Sequence, residues 1–98
     1  MNSRFQNQPD HKQTQQVQSF HEPALRVLDQ LYTRNQENLR SKGYDENNAA
    51  VSKDELSVIY ARYFRVSQYT ALEIINSLIR AGKVESLVGF VKPKAGGV

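Results

Sequence analysis

The sequence contains no cysteine, which excludes a disulfide framework and any cysteine-ligated zinc site. It also lacks an apolar run approaching the roughly 20 residues that cross a bilayer, so no membrane partner is expected. The opening stretch MNSRFQNQPDHKQTQQVQS holds no apolar core, and no secretory leader is expected there. Aliphatic residues are scarce up to residue 18, where Gln and Asn dominate. Such a segment buries too little surface to offset its ordering entropy. Residues 1–18 are therefore expected to form a disordered Gln/Asn-rich tail, and residues 95–98 a flexible C-terminus.

Catalytic signatures are missing as well. There is no phosphate-cradling glycine loop, no serine elbow and no spaced carboxylate pair. The two histidines, His11 and His21, lie in or near the expected tail, with no cysteine or ordered carboxylate to complete a metal site. Neither an enzyme nor a cofactor or metal is expected.

What the chain does have is an uneven charge. The 98 residues carry 13 Lys/Arg against 10 Asp/Glu, a net charge of +3. The first fifty residues balance, with six cations and six anions; residues 51–98 hold seven cations and four anions. The whole excess thus lies in the second half, as suits a polyanionic partner.

Helical spacing of Leu25, Leu28, Leu31, Tyr32 and Leu39 predicts a first helix. Ser19 and Glu22 have capping-box spacing, Pro23 suits a first turn, and Gly43 is placed to stop the helix. Asn35 interrupts the apolar stripe, and GYDENNAA reads as a polar loop. Ser52 with Glu55, and Val51 with Leu56, supply a capping box and a hydrophobic staple for a second helix. Its expected buried stripe is Leu56, Ile59, Tyr60 and Tyr63, with Ala61 small enough to admit a neighbour. Tyr60, Tyr63 and Phe64 are expected to pack together in the core. Ser67 caps a third helix that carries Ala71, Ile74, Ile75 and Leu78 and stops at Gly82. Two short strands, KVES and GFVK, follow around LVG, and AAV before Ser52 is a candidate third strand.

The segment ARYFRVS followed by TALEIINSLIRAGKV resembles the winged helix-turn-helix superfamily. The resemblance rests on Ala61, Phe64, Arg65, Val66 and Ser67 around the turn, Leu78 four residues before Gly82, and the hairpin from Lys83 to Lys92. It covers about residues 22–93 and implies a mainly α fold, three helices plus a short antiparallel wing, over residues 19–94. It further implies that the helix from about 68 to 81 reads duplex DNA from the major groove, where each base pair shows a distinct pattern of donors and acceptors. Gln68, Tyr69, Thr70, Leu72, Glu73 and Asn76 would then face the groove, with Ser67 at the helix start in the same DNA-binding set. Gln68 and Asn76 suit adenine edges, and Lys53, Arg62, Arg65, Lys83, Lys92 and Lys94 suit phosphates.

The sequence departs from the family pattern at Arg65, where glycine is frequent, at the apolar Leu72, and at a wing tip without a cation. Leu72 and Ile79 suit the core, a partner surface or a thymine methyl. The expected function is a small transcriptional regulator or a replication or partition accessory factor, binding DNA as a homodimer. The expected location is the cytoplasm, on the nucleoid in a prokaryotic or viral setting, or the nucleus in a eukaryote. The alternative is a protein-interaction module of the same fold, using Leu72, Ile75 and Ile79.

Overall fold

The computed structural model describes residues 17–94. Three helices and a small antiparallel sheet make up this region: α1 (His21–Ser41), β1 (Val51–Ser52), α2 (Lys53–Phe64), α3 (Gln68–Arg80), β2 (Val84–Leu87) and β3 (Phe90–Pro93). A single 3-10 turn, Glu46–Asn48, sits between α1 and β1. The strand order is β1-β3-β2. This layout is compatible with a winged helix.

The chain enters α1 differently from expectation. Residues 17–18 are already helical, and the Phe20 N–H donates to the Val17 carbonyl at 3.1 Å. Phe20, not Ser19, is the N-cap of α1, and no side chain caps it. Val17 is buried in the core cluster. The expected tail therefore overlaps the fold by residues 17–18, because Val17 is an aliphatic residue with a core position to fill. Residues 1–16 and 95–98 lie outside the described region.

Pro23 stands in the first turn of α1, where its missing N–H has no intrahelical acceptor to lose. Ala24, Val27 and Leu28 form the buried face. At the far end Gly43 takes φ +80°, and the Tyr44 N–H closes back onto the Leu39 carbonyl at 2.9 Å. Asn35 breaks the apolar stripe for a polar reason: its Nδ2 donates to the Ala50 carbonyl at 2.9 Å. This satisfies a loop carbonyl that would otherwise lack a partner and fastens the approach to β1.

Ser52 caps α2, its Oγ accepting the Glu55 N–H at 3.2 Å. The reciprocal half of the box is replaced, since the Glu55 carboxylate pairs with Arg34 of α1 at 3.2 Å. Leu56 and Tyr60 are fully buried, and the Tyr60 hydroxyl donates to the Ala24 carbonyl at 2.7 Å. Burial pushes the Tyr60 phenol well above its ordinary range. Tyr63 departs from the expected buried stripe and is 65% exposed. Phe64 takes the inner place, against Phe20 at 4.9 Å and Tyr60 at 5.4 Å, with Tyr63 edge-on outside it at 5.1 Å.

Helix α3 buries one stripe, Ala71, Ile74, Ile75 and Leu78, spaced i, i+3, i+4, i+7. Burying an aliphatic side chain of this size contributes about 1.5–3 kcal/mol. Ile75 is 1% exposed, and Ile79 is half-buried against the same core. The expected partner-binding face of Leu72, Ile75 and Ile79 is thus not a surface. At 100° per residue, Ile75 falls beside Ile74 and Leu78 on the inner side, and Leu72 falls outside.

Strands β2 and β3 pair from Val84↔Pro93 to Leu87↔Phe90. The candidate strand before Ser52 forms over two residues, with Val51↔Val91 and Ser52↔Phe90 paired. Val51, Val84 and Val91 close the core beneath the sheet.

Candidate nucleic-acid interface

Three residues, Arg65, Ser67 and Gln68, fix the junction between α2 and α3. Arg65 is the C-cap of α2 and takes a left-handed conformation, φ 59° and ψ 48°. The Val66 N–H bonds the Ala61 carbonyl at 3.0 Å, a six-to-one closure of the Schellman kind. The turn therefore keeps the geometry that favours glycine while bearing an arginine. Ser67 then caps α3: its Oγ accepts the Thr70 N–H at 3.0 Å and donates to Thr70 Oγ1 at 3.1 Å. Gln68 reaches back to α2, its Nε2 donating to Ser57 Oγ at 3.0 Å. Ser57 is itself buried and donates to the Asp54 carbonyl at 2.8 Å.

These bonds divide the expected base-reading residues. Ser67, Gln68 and Thr70 hold the turn and the start of α3. Tyr69, Leu72 and Asn76 lie exposed along the outer face, and Glu73 flanks them half-buried. Tyr69 is 69% and Leu72 38% exposed. Arg80 extends the same stripe, four residues past Asn76. Sequence reasoning did not place it among the contact residues, although its i+4 spacing was the available signal.

The cations divide in a second way. On α1, Arg26 pairs with Glu22 at 3.6 Å, Arg34 with Glu55 at 3.2 Å, and Arg40 with Glu46. Among the described residues, Lys53, Arg62, Arg65, Arg80, Lys83 and Lys94 make no ion pair and no side-chain hydrogen bond. Arg62 and Arg65 sit at the turn before α3. Lys83 and Lys94 sit beyond its far end, where the Lys94 ammonium lies 4.0 Å from the position a Cβ would take on Gly82. Lys53 begins α2, and its N–H bonds the carbonyl of Gly89 in the hairpin turn at 3.0 Å.

Lys92 is placed differently from the expected phosphate contacts. Its Nζ donates to the Asn47 carbonyl at 3.1 Å and lies 5.9 Å from the Tyr32 ring centroid. It stands on β3 beside β1, so the chain leading into β1 brings that carbonyl within reach. Glu73 makes no ion pair among the described residues, so neither Arg80 nor Lys53 neutralises it.

A histidine belongs to the fold after all. His21 is 5% exposed, and its Nε2 lies 2.8 Å from Ser77 Oγ on the last turns of α3. Burial, and then the Lys83 ammonium, hold its imidazole below the ordinary pKa. Its place at the first position of α1 hid it next to the expected tail.

Among the described residues no helix is long and apolar enough to cross a membrane, and no group of three His, Cys, Asp or Glu side chains gathers. No family model, curated protein or solved structure matches the chain. Arrangement alone marks the candidate site: a polar-to-mixed helix face, bordered at both ends by cations that no carboxylate among the described residues engages.

Proposed function

We propose that the protein is a winged helix-turn-helix DNA-binding protein, a small transcriptional regulator or a replication or partition accessory factor, with α3 in the major groove. The observation that carries this reading is the contrast in cation pairing. The three arginines of α1 are each paired with a carboxylate, whereas among the described residues six cations around α3 and the hairpin make no ion pair, and neither does Lys42 at the end of α1. Residues 53–94 hold seven cations (Lys53, Arg62, Arg65, Arg80, Lys83, Lys92, Lys94) and four anions (Asp54, Glu55, Glu73, Glu85), an excess of three. Thirteen residues of helix extend about 20 Å, so cations at the two ends of α3 are spaced to meet phosphates on both sides of a groove about 12 Å wide.

In this reading Asn76 and Tyr69 meet base edges or backbone, and Leu72 meets a thymine methyl. Gln68 and Thr70 position the helix. A single module of this kind buries roughly 600–1,000 Å², and pairing into a homodimer supplies further affinity and half-site spacing.

The test is duplex binding by fluorescence anisotropy on a random-sequence pool at several salt concentrations. About five phosphate contacts predict a log–log slope near −4 to −5. Arg62→Ala/Arg65→Ala should lower that slope by about 1.8 and weaken binding at every sequence. Wild-type protein that ignores duplex DNA at low salt would overturn the reading.

A further inference from the structure

A cavity of about 270 Å³ opens where the end of α1 faces the chain entering β1. Asn35, Asn38, Leu39 and Lys42 form one wall, and residues 48–50 form the other. At about 30 Å³ for a water in the liquid, the space equals about nine waters, or a small organic molecule of similar heavy-atom count.

The walls are chemically selective. Lys42 is the one charged residue on them, and no carboxylate lines the space. The nearby acids are engaged: Glu46 pairs with Arg40, and the Asp45 carboxylate accepts the Asn47 N–H at 2.9 Å. Lys42 makes no ion pair and no side-chain hydrogen bond among the described residues. Its flexible four-carbon stem can carry the ammonium across the mouth. Asn35 is committed, its Nδ2 donating to the Ala50 carbonyl. The side chains of Asn38 and Asn48 make no hydrogen bond among the described residues. Each amide offers two N–H donors and a carbonyl acceptor. Leu39, half-buried, and Ala49, buried, add an apolar floor.

We propose that this cavity binds a small organic monocarboxylate that also carries an amide or hydroxyl group. Lys42 meets the carboxylate, the Asn38 and Asn48 amides meet the second polar group, and Leu39 and Ala49 cover the short carbon chain between. A single ammonium suits one negative charge; a phosphate monoester, at about −1.5 to −2, would be only partly neutralised. Position also links the site to the sheet. Asn35 ties Ala50 to α1, Lys92 of β3 holds the Asn47 carbonyl at 3.1 Å, and Val51 pairs with Val91. A ligand bridging Asn38 to Asn48 therefore fastens the chain before β1, and the sheet through it. This goes beyond the duplex-binding reading and does not depend on it.

The experiment titrates the full isotope-labelled chain, followed by amide-resolved NMR, with three probes of matched size at constant ionic strength: N-acetylglycine, its neutral amide N-acetylglycinamide, and the dianion succinate. N-acetylglycine should shift the resonances of Lys42 and residues 48–50 and the side-chain amides of Asn38 and Asn48, with a Kd of roughly 1 mM. N-acetylglycinamide should bind about two- to fivefold more weakly, as the loss of an exposed ion pair implies, and succinate no more tightly than N-acetylglycine. Lys42→Gln should erase the preference for the acid over the amide, and Asn38→Asp should abolish acid binding. Both residues are exposed, so both variants should keep wild-type circular dichroism and melting. Bound N-acetylglycine should also slow hydrogen exchange at residues 50–52.

An absence of shifts around the cavity with every probe would overturn the site. So would shifts confined to Arg62, Arg65 and Lys83, which would mark unspecific anion binding. Equal affinity of wild type for the acid and the amide, tighter binding of succinate, or an acid preference that survives Lys42→Gln would overturn the monocarboxylate assignment. Failure to bind duplex DNA alters none of these outcomes, so the two readings stand or fall separately.

Discussion

His21 and Ser77 meet at 2.8 Å across 56 residues of sequence, joining the start of α1 to the last turns of α3. Because burial and Lys83 depress the His21 pKa in the folded state, the unfolded chain binds the proton more readily. Stability from this site is complete above the unfolded value of 6.5 and is lost as pH falls below it toward the folded pKa. Urea midpoints measured at pH 7.5 and pH 5 should fall on acidification, and His21→Gln should flatten that difference. An unchanged pH response in His21→Gln would assign it to other groups.

Arg65 occupies a left-handed cap, φ 59°, where a non-glycine residue costs about 1 kcal/mol. Arg65→Gly should therefore raise stability by about 1 kcal/mol. For the proposed duplex binding, the same change should reduce the salt slope by about 0.9. Arg65→Lys should keep the slope and gain no stability. Thermal melts and salt titrations of the two variants separate strain from charge.

Ile75 and Leu72 lie three residues apart on α3 with opposite surroundings, 1% and 38% exposed. Ile75→Ala should cost about 2–5 kcal/mol by loss of buried area and creation of a cavity. Leu72→Ala should cost less than about 1 kcal/mol. Equal losses in denaturant titration would contradict the observed rotation of α3.

Asn35 holds the Ala50 carbonyl at 2.9 Å. Asn35→Ala removes that donor and should cost about 1 kcal/mol. Hydrogen exchange should rise locally over residues 49–52 before it rises elsewhere.

The three helices and the hairpin were legible because their signals are local. Ser52 and Ser67 act as caps where the capping pattern put them, and Gly43 and Gly82 take the positive φ that ends their helices. Long-range partners were not legible. Nothing near Glu55 in sequence announces Arg34, twenty-one residues away, as the reason its carboxylate leaves the capping box. Tyr63 has the spacing of a core residue, but Phe64 fills the inner place because Phe20 comes to meet it, and Phe20 stood at the edge of the expected tail. Ile75 stood both in the apolar stripe of the third helix and in the alternative partner face for a related reason. An apolar residue between two apolar neighbours can face either side until the helix rotation is fixed by what packs on it. Composition and position pointed to Lys53, Arg62, Arg65, Lys83, Lys92 and Lys94 but passed over Arg80. The internal engagement of Lys92 and Gln68 depends on contacts 45 and 11 residues distant.

Ser52 ends β1 opposite Phe90 and caps α2 with the same residue, and the next N–H holds Gly89. The hairpin and α2 thus share one joint, so the angle between them is inherited from two consecutive residues, Ser52 and Lys53, rather than set by a linker. Lengthening the chain at Val88–Gly89 would extend the arm and preserve its aim. A single residue inserted between Ser52 and Lys53 would separate the Ser52 cap from the Gly89 bond and uncouple the arm from α2.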